Sequence, residues 1–153
     1  MLGTENLYTA AQTRALDQCA ICEHNIPGIT LMARAADAAL RYLLEVWPEP
    51  ERLQVICGTG NNGGDGFLIA DLAHKRGINV TVFQLGDLRK MVGDAALAMQ
   101  QAQVNGVEIV PFERDLLMPE GVIVDAMLGT GLGGEVRGVF VDAIAAINAS
   151  GAP

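Results

Sequence analysis

Leu53-Gln54-Val55-Ile56-Cys57-Gly58-Thr59-Gly60-Asn61-Asn62-Gly63-Gly64-Asp65-Gly66 is the stretch whose reading decides the fold. Its first five residues form a short apolar run with β-branched Val55 and Ile56, which has the length of a strand. The run stops at five glycines within the nine residues 58–66. Beyond them Phe67, Leu68, Ala70, Leu72 and Ala73 recur at helical spacing until Lys75-Arg76-Gly77, a stop signal. The expected unit is strand, glycine-rich loop, helix, with Asp65 as the helix N-cap. Glycines let a backbone approach a ligand closely, and free N–H groups at a helix start attract anions. That attraction is worth roughly 0.3–2 kcal/mol per charge, so it orients a phosphate more than it captures one.

Gly58-Thr59-Gly60-Asn61-Asn62-Gly63 also fits the G-x-G-x-x-G pattern of dinucleotide sites. In such sites an acidic residue closes the next strand and takes the ribose hydroxyls. Here that strand ends Val82-Phe83-Gln84, and the first acid is Asp87, so an ordinary NAD dehydrogenase fits imperfectly. The adjacent asparagines are the odder feature. They can cap a helix, bond a sugar or an amide, or ligate a hard cation through oxygen. The bland alternative is a tight glycine turn with no ligand.

The chain has 153 residues, half of them apolar, which suits one domain with a real core. A formal charge of -8 argues against nucleic-acid or anionic-membrane partners. No apolar run approaches the roughly 20 residues that span a bilayer. The start, Met1-Leu2-Gly3-Thr4-Glu5-Asn6, lacks the regions of a secretion signal, so the expected location is cytoplasmic. Three cysteines are too few for a disulfide scaffold. Cys19 and Cys22 form a C-x-x-C inside a helical stretch, where two small buried residues are expected; Cys57 is expected to pack as well.

Thr9 is the expected N-cap of a first helix reaching about Glu23, with Leu16, Cys19 and Ala20 on one face. Ile26-Pro27-Gly28 breaks it. A second helix from about Thr30 carries Met32, Ala36, Leu40, Leu43 and Trp47 in a broad apolar stripe read as core. After the glycine-rich unit come a strand at 78–83, a helix from about Lys90 to Val104 carrying Val92, Ala95 and Met99, and strands at 107–110 and 121–125. A last helix runs to Asn148, closed by Ser150-Gly151.

Strands alternating with helices imply a parallel sheet with right-handed crossovers. The fold class is therefore α/β, a three-layer, Rossmann-like doubly wound sheet with two extra N-terminal helices: residues 1–50 as helical extension, 51–153 as core. In the common order 3-2-1-4 the first and fourth strands are neighbours, and ligands bind in the crevice at their carboxyl ends. A second glycine-rich segment, Gly129-Thr130-Gly131-Leu132-Gly133-Gly134, follows the fourth strand, so two such loops face each other there. Asp125, at the tip of the fourth strand, can be a general base, a cation ligand or a ribose acceptor, or can cap the next loop through an Asx turn. His74 reads as a solvated residue at a helix end. No serine–histidine–acid set stands out.

Cys57 to Gly66 followed by Val124-Asp125-Ala126-Met127-Leu128-Gly129-Thr130-Gly131-Leu132 closely resembles the NAD(P)H-hydrate epimerase family, the YjeF N-terminal domain. Ile26-Pro27-Gly28-Ile29-Thr30-Leu31-Met32 matches that family's entry to its second helix. The resemblance implies an isomerase that interconverts the R and S forms of NAD(P)HX, the water adduct of damaged nicotinamide cofactor, so that a dehydratase can restore it. It implies that Asn61, Asn62, Gly63, Gly64 and Asp65 bind the hydrated dinucleotide, with Gly129, Thr130, Gly131, Leu132, Gly133, Gly134 and Glu135 as the second substrate loop. Asn62 and Asp125 would ligate a potassium ion, Asp125 is the expected acid/base, and the chain is expected to form a homodimer and to act beside a fused or separate dehydratase.

Three features depart from the family pattern. Ala33 stands where an acidic residue is usual, Gln84-Leu85-Gly86 replaces a lysine found in some members, and the sequence stops at Pro153, before an expected fifth strand and its Asp-x-Pro-Ser-Gly loop. The expectation is thus a fragment of the domain. Two other readings stand beside the enzyme: a non-catalytic, dimerising interaction module of the same fold, and an NAD(P)-dependent oxidoreductase domain. Arg137 is the candidate for a 2′-phosphate.

Overall fold

A computed structural model of the chain describes residues 7–153; the expectation about a secretion signal, read at 1–6, lies outside them. The elements are α1 (Ala10–Cys22), α2 (Gly28–Val46), β1 (Leu53–Cys57), α3 (Asn61–Lys75), β2 (Val80–Gln84), α4 (Gly93–Val104), β3 (Glu108–Pro111), β4 (Val122–Ala126) and α5 (Val139–Ser150), with 3-10 turns at Leu88–Lys90 and Arg114–Leu116. The four strands form one parallel sheet in the order β3-β2-β1-β4. This is the doubly wound order expected from the alternation of elements.

Every residue of β1 is buried, because the strand has a neighbour on each edge and helices over both faces. On one face Val55, Cys57 and Val82 pack with Phe67, Leu68 and Ala70 of α3, Ala36 and Leu40 of α2, and Ala95 and Ala98 of α4. On the other, Ile56, Phe83, Leu85 and Met127 pack with Ala143 of α5. Two buried polar groups are fully used. Gln54 exchanges hydrogen bonds of 2.7 and 2.8 Å with the Met118 backbone. Asp71 accepts from Lys75, Gln101 and Asn105 at 2.6–2.7 Å, which ties α3 to α4. Burial pushes the Asp71 carboxyl up, but these donors hold it below its ordinary range.

Several expectations are corrected. Helix α3 starts at Asn61, not near Phe67, and its N-cap is Gly60, so Asp65 lies in its second turn and caps nothing. Each glycine costs about 1 kcal/mol in a helix, which argued for a loop; packing against the sheet outweighs that, since Gly63, Gly64 and Gly66 are all buried. Cys22 is exposed and Cys19 half-buried, because α1 buries none of its residues; Leu16 is 54% exposed. Cys57 is buried as expected. Trp47 is exposed: α2 ends at Val46, so Trp47 is its C-cap and stands beyond the helical stripe of Ala36, Leu40 and Leu43. Helix α4 starts at Gly93 rather than Lys90, leaving Val92 as an exposed N-cap. Thr9 does cap α1, in a capping box with Gln12. No helix among the described residues is long and apolar enough to cross a membrane.

Candidate functional site

Strands β1 and β4 are in register, Cys57 beside Ala126, so the chain leaves the sheet twice at one level. After β1 it enters α3 through Gly58-Thr59-Gly60. The first N–H groups of α3 have no partner within the helix and face the crevice side. After β4, Asp125 Oδ1 accepts the Met127 N–H at 3.0 Å, an Asx turn that leads into the second loop. The two loops meet where the Cβ of Asn62 lies 3.0 Å from where Gly129 would carry one.

Between them opens a cavity of about 670 Å3, large enough for much of a dinucleotide. Thr59, Gly60, Asn61, Asn62 and Asp65 form one wall, and residues 127–133 form the opposite one. A third wall comes from α1, through Thr13, Arg14 and Asp17, and Phe140 of α5 completes the lining. Burial raises the Asp65 carboxyl to about 6, with the negative charge of Asp17 adding to the effect. Asp65 therefore exchanges a proton near neutral pH, where an ordinary aspartate stays ionised. Neither Asp17 nor Asp65 has a salt-bridge partner among the described residues.

The residues read from the sequence separate into three groups. Asn61, Asn62, Asp65, Gly129, Thr130, Gly131, Leu132 and Gly133 line the cavity together. Gly63 and Gly64 are buried behind its wall. Gly134, Glu135 and Asp125 lie outside the lining; Glu135 pairs with Arg137 at 3.2 Å on the surface, and Asp125 is exposed beyond its Asx turn. The sequence reading named neither Thr59 nor Phe140 for the site, and although the two added N-terminal helices could lid a ligand site, cover a sheet edge or form a subunit interface, it named no residue of α1. The signal for α1 was negative in kind: a capped helix without a sustained apolar stripe must have some use other than the core.

Two oxygen donors of a kind that suits a hard cation are Asn62, in the cavity lining, and Asp125, outside it. The Asn62 amide oxygen is hard, and the Asx turn leaves the second Asp125 oxygen free. Among the described residues no group of three or more His, Cys, Asp or Glu could hold a metal, so any cation would rely on amide and carbonyl oxygens as well.

Known proteins bear directly on this arrangement. The chain is 44% identical over 145 residues to a bifunctional NAD(P)H-hydrate repair enzyme of Coxiella burnetii, covering 95% of this chain and 30% of that protein. It is 36% identical over 152 residues to an NAD(P)H-hydrate epimerase of Limosilactobacillus fermentum, covering 98% of this chain and 72% of that one. The chain thus spans less than a third of the bifunctional relative and about seven-tenths of the shorter one. A yeast protein of known crystal structure, YNL200c, shares the fold with a TM-score of 0.83 at 20% identity, over 95% of this chain and 66% of that one. The family described as YjeF-related protein N-terminus matches residues 28–153. On that match, which takes in both glycine-rich loops and all four strands, the chain belongs to the YjeF-related N-terminus family.

Proposed function

We propose that the chain binds hydrated NAD(P)H and interconverts its R and S forms, as an NAD(P)H-hydrate epimerase. One observation carries the reading: both glycine-rich loops wall a single cavity of about 670 Å3 at the switch point of the sheet. The relatives that are named epimerases lend it support. In this reading Asn61, Asn62 and Asp65 meet the dinucleotide from the start of α3, where open amides and the helix dipole favour its phosphates. Gly63 and Gly64 shape that wall from behind, and Gly129 to Gly133 close over the other side, with Gly134 and Glu135 continuing that loop outside the lining. Asn62 and Asp125 would hold a potassium ion, which supplies positive charge beside the substrate's anionic groups.

Inversion at a carbon bearing a hydroxyl can proceed by loss and return of water. Protonation of the hydroxyl lets the C–O bond break as the lone pair of the ring nitrogen forms a C=N bond. Water then adds to the opposite face and gives up a proton. One carboxyl group that gains and loses a proton near neutral pH serves both steps. Asp65 lines the cavity and titrates near 6, which suits it to that task. Asp125, the acid/base expected from the sequence, has one oxygen committed to the Met127 N–H and better suits ligation. The reading includes a dehydratase, fused or separate, that consumes the S form, a cytoplasmic setting, and a homodimer. Exposed Leu7 and Leu16, before and within α1, offer the dimer an apolar surface.

The test is turnover of purified R-form hydrate in potassium buffer, with the S product removed by an S-specific dehydratase. Turnover that falls when lithium replaces potassium is expected, and Asp65→Asn should cut kcat by about 10²–10⁴-fold with little change in KM. A folded chain that binds the dinucleotide without turning it over would contradict the epimerase reading and leave a binding module.

A further inference from the structure

Helix α1 lies outside the residues matched by the family, 28–153, and buries none of its own. It is nevertheless fixed to the site: Arg14 Nη1 donates to the Thr130 carbonyl at 2.8 Å, across 116 positions of sequence. Asp17 lies four residues from Thr13 and three from Arg14, helical spacings that make it a neighbour of both, and all three line the cavity. A helix that buries nothing and still closes one side of a cavity contributes to the ligand site rather than to the core.

Charge then singles out one side chain. Among the described lining residues Arg14 is the only cation, whereas Asp17 and Asp65 are both acidic. A dinucleotide brings two further negative charges in its pyrophosphate, to a chain that already carries -8. The half charge at the start of α3 cannot balance these alone. A guanidinium has five N–H donors in a fork that matches phosphate oxygens. One donor is accounted for at Thr130, and Arg14 forms no salt bridge among the described residues. Arg137, the residue suggested by the sequence for this role, is paired with Glu135 outside the lining.

We propose that α1 is a clasp over the cavity and that Arg14 pairs with phosphate oxygens of the bound dinucleotide while holding the second glycine-rich loop through Thr130. The proposal rests on the reading that the cavity takes a dinucleotide, and it does not depend on the reaction. The phosphate is either the pyrophosphate or a 2′-phosphate on the adenosine ribose, and two ligands separate these sources.

The experiment is calorimetric titration of the wild-type chain, Arg14→Ala and Arg14→Lys with ADP-ribose and with 2′-phospho-ADP-ribose, at two salt concentrations. Arg14 is exposed, so unchanged melting temperatures are expected and are checked first. Arg14→Ala should weaken both ligands by about 10- to 100-fold and flatten the salt dependence of Kd, with Arg14→Lys in between. Weakening confined to the 2′-phosphorylated ligand keeps Arg14 as the phosphate partner and assigns it the 2′-phosphate. Unchanged affinity and salt dependence in folded Arg14→Ala would overturn the proposal while leaving the epimerase reading intact. A wild-type chain that binds neither ligand would remove the dinucleotide reading, and the role of Arg14 with it.

Discussion

The two glycine-rich loops that face each other across the cavity are rich in glycine for different reasons. In the first, a Cβ added at Gly58 would run into the Met127 carbonyl oxygen, and one at Gly63 into the carbonyl oxygen of Gly58. At Gly64 it would meet the Met32 sulfur at 2.8 Å and the Ala95 Cα at 2.9 Å, and at Gly66 the Ala126 and Cys57 side chains. Three of these glycines lie within α3 itself; Gly58, Gly63 and Gly66 let it sit close to the ends of β1 and β4, and Gly64 lets it sit close to α2 and α4, while Gly60, the N-cap, has nothing within 4 Å. In the second loop nothing stands within 4 Å of a Cβ at Gly131, Gly133 or Gly134, and only Gly129 has a near neighbour, Asn62. Glycine in the second loop therefore answers to the cavity and to turn geometry, with Gly134 at a φ of +91°. Similar sequences on the two sides of one site thus serve packing on one side and ligand access on the other.

The contrast can be broken most forcefully at Gly58 and Gly63. Alanine at either should cost about 3 kcal/mol or more, because backbone on both sides of the clash must move; urea denaturation of the two variants measures it. Wild-type stability at either position would mean that the first loop is as open as the second. A smaller effect is expected at Asp65, on the same wall. Its carboxyl is raised from 3.8 to about 6 by burial and by Asp17, so its contribution to stability is greatest below pH 4 and is lost as pH rises through 6. Asp65→Asn should therefore melt above the wild type at pH 7.5 and close to it at pH 4. A difference of the same size at both pH values would contradict the buried, crowded carboxyl. Smallest of all is the stability effect at Gly131 and Gly133. Alanine there should change stability by less than about 0.5 kcal/mol while weakening ADP-ribose binding, and an equal loss of both would erase the distinction between the loops.

Most of the fold was legible because its signals are local. The run from Leu53 to Cys57 is apolar and β-branched, the alternation with helices dictates a parallel sheet, and the order β3-β2-β1-β4 follows from the commonest winding. The start of α3 was hidden because glycine opposes helix by intrinsic propensity, and only the approach of the sheet, a tertiary fact, reverses that preference. Position alone left the facing of Asp125 open. It stands at the tip of a switch-point strand, but it alternates with Val124 and pairs in register with Ile56, whose side chain packs with the α5 face rather than against α3. Helix α1 was legible as a capped helix that could lid a ligand site, but not in its residues or its placement. Periodicity reports burial, and a helix that buries nothing carries no periodic signal of where it lies. Its neighbourhood is visible in the hydrogen bond from Arg14 to Thr130, in the lining positions of Thr13 and Asp17, and in the effect of Asp17 on Asp65.

The central claim is that two loops of different construction and one unburied helix form a single dinucleotide site. Backbone-amide NMR during titration with ADP-ribose tests this most directly. Saturable shifts on one binding curve are expected for three separate segments: residues 13–17 of α1, residues 59–65, and residues 129–133. Shifts confined to a single loop, or a response of α1 on a different curve from the loops, would contradict the claim.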